Sequence, residues 1–389
     1  MAAKNKKIAL IIDNSCVLGQ DLLLGVAQYA TISNNWELIA TPPLNIPGSE
    51  PQEKRSFDWL KEQKVDGIIY SSIVYPKEIL KLNLPSIIAT YTVNQIPPWP
   101  NIIVNNKKVS KMAADFFLNK GFKHFGYCGF DYFPWSQERS AYFNTEIRKA
   151  GHAAHIYKKP KSKIYNMWKY EQDSVKNWLK SLPKPVAVLA SNDLRGQFIL
   201  ELCKTSGLNV PDEISVLGID NDKVVCSISS PPLTSININY QKAGFEAAQL
   251  LEKLMNGQKS QKQQIIIEPT TIITRRSTDT LAIDDKDIAT ALSFIRENAN
   301  IPLQVDEVAQ EVLISKRTLQ RKFKKSIGHS IGYEIKKTRM EKIANILIET
   351  DRPIYRIANE LGYNDCTNMV RSFRQFMELT PQAYRRKHK

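Results

Sequence analysis

The sequence has little of what metal centres, disulfide frameworks and membrane spans require. It contains five cysteines, with no C-x-x-C pair and no histidines at metal-ligand spacing from them: Cys16, Cys128, Cys203, Cys226 and Cys366. An odd number of scattered cysteines predicts ordinary thiols in a reducing compartment. The apolar run at residues 8–12 is too short for a signal peptide or a membrane span, and Asp13 ends it. We therefore expect a cytoplasmic protein with no bound metal and no membrane contact.

Motifs for nucleotide chemistry are also missing. No G-x-G-x-x-G follows the first apolar run, and no G-x-x-x-x-G-K-[ST] occurs anywhere in the sequence. Dinucleotide binding and P-loop nucleotide binding are therefore poorly supported. The sequence shows no nucleophile and base pair either, so we expect neither an enzyme nor a cofactor. An α/β enzyme whose catalytic pair meets only in the fold stays open as an alternative.

Positive charge is concentrated at one end of the 389 residues. The formal net charge is +15, and residues 315–389 hold +11 of it, with 18 Lys and Arg against 7 Asp and Glu. A cation-rich segment beside an otherwise balanced chain is typical of a module that binds nucleic acid. A solubilising surface would have the same composition, and charge alone does not separate the two.

Short apolar runs alternate with amphipathic segments over residues 7–276. This pattern is typical of βαβ units around a parallel sheet, so the fold class of this part is α/β. Strands are predicted at residues 8–12, 37–40, 66–71, 86–90, 124–129, 186–190 and 214–219. Helices are predicted at residues 21–30, 109–120, 138–149, 193–206 and 241–255. Proline pairs at residues 42–43, 97–98 and 231–232 mark loops.

A polar, partly acidic stretch at residues 277–287 separates the α/β region from an all-helical remainder. Helices are predicted there at residues 286–298, 305–310, 316–325, 331–349, 354–360 and 366–377. We expect three parts: an α/β domain at residues 1–276, a linker at 277–287 and a helical domain at 288–389.

The helical region contains one pattern twice. The first copy, V-D-E-V-A-Q-E-V-L-I-S-K-R-T-L-Q-R-K-F, begins at Val305, and the second, I-Y-R-I-A-N-E-L-G-Y-N-D-C-T-N-M-V-R-S-F, begins at Ile354. Each places apolar residues at helical spacing around a small alanine, followed by a turn, a capping residue and another helix. The pattern predicts two helix-turn-helix units bridged by one long helix.

The second helix of each unit offers a polar face suited to DNA. Leu319 and Phe323 can face inward, while polar residues follow i, i+3, i+4, i+7 spacing on another face. Arginine pairs with guanine, glutamine or asparagine with adenine, and valine can touch a thymine methyl, whereas lysine suits phosphate. One such helix could be an ordinary amphipathic helix, but two in the same relative position favour double-stranded DNA as the partner. The predicted DNA-binding residues are Lys316, Arg317, Gln320, Arg321, Lys324, Thr367, Asn368, Val370, Arg371 and Arg374.

The motifs R-T-L-Q-R-K-F-K-K-S-I-G-H-S-I-G-Y-E-I, I-A-N-E-L-G-Y and F-M-E-L-T-P-Q-A-Y-R-R make this region resemble the DNA-binding domain of the AraC/XylS family. The resemblance implies two recognition helices, beginning near Lys316 and Cys366, in successive major grooves about 34 Å apart. Family members usually have glycine in the first turn, where this chain has Leu313, whereas Gly362 is kept in the second. If the first turn needs a left-handed residue, Leu313 costs about 1–2 kcal/mol.

The motifs V-D-G-I-I-Y, V-A-V-L-A-S-N-D, P-D-E-I-S-V-L-G-I-D-N-D and P-P-L-T-S-I-N-I-N-Y-Q-K-A-G make residues 7–276 resemble LacI-type regulators and periplasmic binding proteins. The resemblance implies two subdomains hinged around a cleft that closes on a small effector, commonly a sugar. Effectors of such folds bind at strand ends and helix starts, where carboxylates, amides and Arg bond hydroxyls and an aromatic ring packs on the sugar. The residues matched by motif are Asp13, Arg139, Asn192, Asp193 and Asp220, with Trp135 as the aromatic platform.

Each of these residues has an ordinary structural alternative. Trp135 could belong to the core, Asp220 could cap a turn and Arg139 could pair with a surface acid. Asn105 also departs from the family pattern, which often has an acidic residue at that place.

A LacI-like sensor followed by an AraC-like DNA-binding domain is similar to the regulators of xylose operons, and W-S-Q-E-R adds to the likeness. D-xylose is therefore the leading effector candidate. The resemblance implies a homodimer, and RNA polymerase as a partner if the chain is an activator. Two alternatives are a regulator that responds to another sugar and a solute-binding receptor, against which the basic tail argues.

Overall fold

The computed structural model describes residues 5–40, 58–71, 79, 81–89, 99–158, 167–258, 264–280 and 285–388. Contacts divide the chain into two compact units. The first combines the described parts of Met1–Lys111, Gly129–Phe143 and Asn237–Thr270. The second combines those of Met112–Cys128, Asn144–Ile236 and Thr271–Lys389, so the helical C-terminal region belongs to the second unit. The predicted loops at residues 42–43 and 97–98 and the strand end at Thr90 lie outside the described residues.

The first sheet is built from six described strands, whose neighbours run parallel. They are β1 (Lys6–Ile11), β2 (Trp36–Ala40), β3 (Gly67–Ser71), β4 (Ser86–Ala89), β5 (Asn101–Val104) and β11 (Gln264–Ile267). Their order across the sheet is β11, β5, β4, β3, β1, β2. Every residue of β3 and β4 is buried, as expected for strands whose two faces are both covered by helices.

The second sheet also has six described strands, with β6, β7, β8 and β9 paired in parallel. They are β6 (His124–Cys128), β7 (Ala154–Ile156), β8 (Val186–Ala190), β9 (Ile214–Asp220), β10 (Thr234–Ile238) and β12 (Pro269–Ile273). Their order is β12, β10, β9, β8, β6, β7. All five residues of β8 are buried, which again indicates a strand covered on both faces.

Helices follow most of the strands, as βαβ crossovers require. They are α1 (Val17–Ser33), α2 (Asp58–Glu62), α3 (Asn106–Asn119), α4 (Pro134–Lys149), α5 (Met167–Ser181), α6 (Asp193–Thr205), α7 (Lys223–Ile228) and α8 (Tyr240–Met255). The predicted α/β class is confirmed, and the predicted strands and helices lie within a few residues of the observed ones. The predictions did not include β5, β7, β10, β11, β12, α2, α5 or α7.

The C-terminal region is helical, as predicted. After a 3-10 turn at Arg276–Thr278 it forms α9 (Lys286–Glu297), α10 (Val305–Glu311), α11 (Lys316–Ile327), α12 (Ile331–Glu349), α13 (Ile354–Glu360), α14 (Cys366–Met377) and α15 (Pro381–His388). Ser277 and Thr278, at the start of the predicted linker, are buried, and Ser277 Oγ donates to Val216 O of β9 at 2.6 Å. The linker and domain boundaries stay predictions.

Two separate hydrophobic cores hold these helices. The first surrounds Leu319 and Phe323 with side chains of α9, α10 and α12. The second surrounds Met369 and Phe373 with side chains of α12, α13 and α15, and it also includes Ile273 of β12. The helix α12 therefore contributes to both cores. In the part of the chain that is described, no helix combines the length and the apolar character needed to cross a membrane.

Candidate functional site

The helix α11 begins at a serine cap and buries one side only. Ser315 Oγ accepts the backbone N–H of Thr318 at 3.2 Å, which satisfies one of the unpaired donors of the first turn. Leu319 and Phe323 are fully buried in the first core. Gly328 ends the helix in a left-handed conformation, with φ of 87°. The buried stripe fixes which face of α11 is left for solvent.

The exposed face of α11 is strongly basic. The five residues predicted there to bind DNA are all exposed: Lys316, Arg317, Gln320, Arg321 and Lys324. Lys316 Nζ lies 2.8 Å from Asp306 Oδ2 of α10, so its charge is partly paired. Arg317, Arg321 and Lys324 form no ion pair with any described residue, and their charges are available to an anionic partner.

Lys322, in the same helix, is not part of this face. Its Nζ lies 3.1 Å from Asp285 Oδ2 and 2.5 Å from Asp287 Oδ2, at the start of α9. These hydrogen bonds raise the pKa of Lys322, first through Asp287 and then through Asp285. The structure thus divides the basic residues of α11 into one that holds α9 and several that face solvent.

The helix α14 repeats this arrangement in the second helix-turn-helix unit. Asp365 Oδ1 accepts the N–H of Thr367 at 2.8 Å, so Asp365 rather than Asn364 is the cap. Met369 and Phe373 are fully buried. Four of the predicted DNA-binding residues are exposed: Thr367, Asn368, Arg371 and Arg374. Val370 is different, because it is half-buried against the second core and leaves little surface for a base.

Both helix-turn-helix turns contain a residue with left-handed backbone. Leu313 has φ of 58° and Gly362 has φ of 71°. The first turn therefore does need a left-handed residue, and a leucine provides it. The Leu313 side chain is 89% exposed, so it recovers no burial for its backbone conformation.

Arg339 of α12 supports the second turn and was missed by sequence reasoning. Its Nη2 donates to the carbonyl of Leu361 at 2.6 Å, and its guanidinium lies over the Tyr363 ring at 4.5 Å from the centroid. A cation over an aromatic face is attracted by the ring quadrupole. Its only sequence signal is a basic residue in the middle of a bridging helix, where a solvent-facing role was equally plausible.

In the first compact unit, Trp135 and Arg139 lie together at the start of α4. The Arg139 guanidinium lies 4.9 Å from the Trp135 ring centroid, and Trp135 stacks on Phe133 at 5.6 Å. Trp135 Nε1 is buried and has no hydrogen-bond partner among the described residues. An unmet buried donor is costly, so a ligand acceptor would be favoured there. Phe133 and Arg139 pack against the Trp135 ring, which was predicted to stack on the sugar. The arrangement favours a different contact, in which the Trp135 N–H donates a hydrogen bond to a ligand.

Arg139 is held in place by the start of α3. Its Nε donates to Asn106 Oδ1 at 2.9 Å, and Asn106 Nδ2 donates to Glu138 Oε2 at 2.9 Å. Only 4% of Arg139 is exposed. The Asn106 amide therefore helps to orient the Arg139 guanidinium.

Asp13 lies directly after β1, as predicted. Its Oδ1 accepts the N–H of Ser15 at 2.9 Å, which leaves its other oxygen for further donors. A Cβ at Gly19 would lie 1.7 Å from Asp13 O, so glycine lets α1 begin against this loop. Asp13 is half-buried at the carboxyl end of a parallel strand, which is where such sheets bind ligands.

In the second compact unit, Asn192 lies just after β8 and Asp220 is the last residue of β9. Asn192 caps α6 by accepting the N–H of Arg195 at 3.0 Å, so its oxygen is used and its amide donors remain. Asp220 has φ of 108° and its neighbour Asn221 has φ of 55°. Such backbone is uncommon outside glycine and often accompanies functional sites. Both residues therefore lie where the sequence predicted.

Asp193, which was also predicted to bind the effector, is hydrogen-bonded through both carboxylate oxygens inside the fold. Only 2% of it is exposed, and its Oδ1 accepts from Ser235 Oγ at 2.6 Å while Oδ2 accepts from Asp222 N at 2.7 Å. Burial, followed by the nearby charge of Asp220, raises the pKa of Asp193 well above its usual value. Its oxygens therefore join the loop after β9 to β10.

Comparisons with known proteins match two families to different parts of the chain. The periplasmic binding protein-like domain matches residues 114–278, and a helix-turn-helix domain matches residues 308–387. The multiple antibiotic resistance protein MarA of Salmonella typhimurium is 34% identical over 113 residues, covering 29% of this chain and 85% of MarA. This chain belongs to the AraC/XylS family of transcription regulators.

Two further relatives match this AraC/XylS-family chain from end to end. The xylose operon regulatory protein of Haemophilus influenzae is 28% identical over 395 residues, with 99% of each chain covered. The solved structure of the xylose-binding transcription activator XylR is 25% identical with a TM-score of 0.62, again covering 99% of each chain. Both relatives are described as regulators, which agrees with the predicted class of DNA-binding transcription regulator.

Proposed function

We propose that this chain is a sugar-responsive DNA-binding transcription regulator that activates genes of D-xylose utilisation. The observation that carries the proposal is the pairing, in one chain, of two exposed basic recognition helices with polar side chains at the carboxyl ends of two parallel sheets. The full-length similarity to a xylose operon regulatory protein and to a xylose-binding activator supports xylose as the effector.

The DNA-binding surface consists of the exposed residues of α11 and α14. We infer that Arg317, Arg321 and Gln320 contact base edges in one major groove, and that Lys324 contacts phosphate. Arg371 and Asn368 contact bases in the next groove, while Arg374 and Thr367 contact the backbone. Val370 contributes less than the sequence suggested, because the second core covers part of it.

Each compact unit contains polar side chains that we propose as candidate ligands for the effector. Asp13, Arg139 and the unmet N–H of Trp135 belong to the first unit, and Asn192 and Asp220 belong to the second. Carboxylates, an amide and a guanidinium match the hydroxyls of a sugar, which both donate and accept hydrogen bonds. Asp193 is left out of this set because its oxygens are already bonded.

The regulator acts as a homodimer in the cytoplasm. Effector binding favours one arrangement of the α/β region, and this repositions the paired DNA-binding domains so that RNA polymerase can be recruited. Such a shift requires only that the sugar bind one arrangement more tightly than the other. The description of the similar solved structure as an activator supports this direction of regulation.

A sugar panel tests the proposal. We expect D-xylose, among pentoses and hexoses, to raise the melting temperature most and to change Trp fluorescence, because Trp135 lies beside Arg139. Arg139→Lys should raise the Kd for D-xylose by about tenfold or more, since a hydrogen bond from a charged group is worth about 1.5–3 kcal/mol. Arg148→Lys, at an exposed position of the same helix, is the matched control and should leave the Kd unchanged.

The outcomes separate the candidates. A larger response to another sugar would assign the effector differently while keeping the regulator. No response to any sugar would reject the sensor function. Sugar binding without any affinity for duplex DNA would favour a solute-binding receptor.

A further inference from the structure

Arg275 lies two residues after the end of β12 and binds three separate parts of the second compact unit. Its Nη1 donates to Leu233 O at 2.9 Å, and its Nη2 donates both to Asn221 Oδ1 at 2.9 Å and to Glu349 Oε1 at 2.6 Å. The side chain is 11% exposed. A planar guanidinium can hold several acceptors at once in fixed directions, whereas a lysine cannot. One side chain thus joins the α/β region to the helical region.

The Asn221 end of this contact reaches the effector residues. Asn221 follows Asp220 directly, and both have positive φ. The Asn221 N–H donates to Ser235 Oγ at 3.0 Å, and that hydroxyl donates to Asp193 Oδ1. Asn221 is 4% exposed, so its amide cannot turn freely. Asp220 and the acceptor of Arg275 therefore lie next to each other in one hydrogen-bonded segment.

The Glu349 end reaches the DNA-binding helices. Glu349 is the last residue of α12, the helix that contributes to both helix-turn-helix cores. Nearby, Asn345 Nδ2 donates to Thr274 Oγ1 at 2.9 Å, and Ile273 lies fully buried in the second core. The end of β12 and the C-terminal half of α12 are therefore in direct contact.

We infer that Arg275 couples the effector-binding edge at Asp220 to the second helix-turn-helix unit, by sharing its guanidinium between Asn221 and Glu349. The inference deepens the proposed function and rests on it. When effector shifts Asn221, the guanidinium changes its bond to Glu349, and the C-terminal end of α12 changes its position against β12. The packing of Ile273 and the Asn345 contact hold the two regions together in either arrangement. Arg275 is a positioning residue and touches neither sugar nor DNA.

The test measures coupling between the two ligands in the full-length chain. The Kd for D-xylose is determined by calorimetry without DNA and with a saturating duplex that the wild type has selected from a random-sequence pool. Coupling between two sites is reciprocal, and in the wild type we expect the two Kd values to differ by about tenfold. Arg275→Lys and Glu349→Gln should each reduce this ratio to about twofold or less. Their Kd for sugar without DNA should stay close to that of the wild type.

Two control variants separate coupling from simple attachment. Arg276→Lys changes the exposed neighbouring arginine and should keep the wild-type ratio. Asn345→Ala removes a contact between the same two regions without touching Asn221, and it should also keep most of the ratio. If Arg275→Lys fails to fold, Glu349→Gln at the rim of the contact tests the same bond.

The results that would overturn the inference are distinct from those that would overturn the proposed function. A wild-type ratio retained in both Arg275→Lys and Glu349→Gln would reject the role of Arg275 alone. An equal loss in Asn345→Ala would reduce Arg275 to an attachment contact and reject its role too. A wild type that binds no sugar would reject the proposed function and, with it, this inference.

Discussion

The two helix-turn-helix units have the same sequence pattern, but they are completed by different parts of the chain. The first core is closed by α9, through Ile288, Leu292 and Ile295. The second core is closed by Ile273, which belongs to the last strand of the α/β region. The core of the first helix-turn-helix unit thus comes from the helical region alone, whereas the second helix-turn-helix unit shares its core with the α/β region.

The turns differ in the same direction. Leu313 has its left-handed backbone in open solvent, while a Cβ at Gly362 would lie 3.1 Å from Pro302 Cδ. The first turn tolerates a side chain because nothing packs over it. The second turn disfavours one because Pro302, in the loop before α10, lies close to it. Two copies of one motif therefore face different packing demands, and the second is the one tied to its surroundings.

The largest expected effect is the loss of Ile273 from the second core. Ile273→Ala should destabilise the protein by about 2–5 kcal/mol, because it removes a fully buried side chain and leaves a cavity. Hydrogen exchange should show the loss of protection in α13, α14 and α15, with α10 and α11 protected. Ile288→Ala is the matched change in the first core and should give the reverse pattern. Equal loss in both units for both variants would mean that the cores do not act separately.

An intermediate effect is expected at the two recognition helices. Arg321→Ala and Arg371→Ala should each weaken specific DNA binding by about 1–3 kcal/mol and relax base preference at one position, in different halves of the site. Binding to a library of duplexes measures both quantities. Lys322→Ala is the control on α11, because Lys322 holds Asp285 and Asp287. Unchanged selectivity in both arginine variants would show that the assigned faces are wrong.

The smallest effect is expected at the turns, with opposite signs. Leu313→Gly should stabilise the first unit by about 1 kcal/mol or less, because relief of the left-handed leucine is partly offset by the backbone entropy of glycine. Gly362→Ala should destabilise the second unit by about 1–2 kcal/mol, since it adds both backbone strain and the contact with Pro302. Urea unfolding measures both. Destabilisation by Leu313→Gly would contradict this account of the first turn.

Sequence reasoning found most of the long elements because their apolar periodicity is strong. The predicted bounds of α12, α13 and α14 agree with the structure, and those of β8 do as well. The short or edge elements β7 and β12 were missed, since a few residues of mixed polarity have no clear period. The helix α15 was missed because its basic sequence resembles a solvated tail.

Candidate site residues were predicted less evenly. The exposed faces of α11 and α14 follow from helical periodicity, which also identifies the buried Leu319, Phe323 and Phe373. Val370 was assigned by helical spacing and Asp193 by position in a motif, and neither tells how far neighbouring elements cover a side chain. The roles of Arg275, Arg339 and Asn221 could not be predicted, because they depend on hydrogen bonds to residues far away in the chain.

The sequence by itself determined the class of the protein, the repeat of the helix-turn-helix units and the direction in which each recognition helix faces. These are local properties, set by the spacing of apolar residues and by caps and turns within about 20 residues. Only the tertiary structure decided that Ile273 completes the second core and that Asp193 accepts hydrogen bonds from Ser235 and Asp222. It also decided that Arg275 joins Asn221 to Glu349. Those facts depend on which distant segments meet, and packing rather than local periodicity sets those meetings.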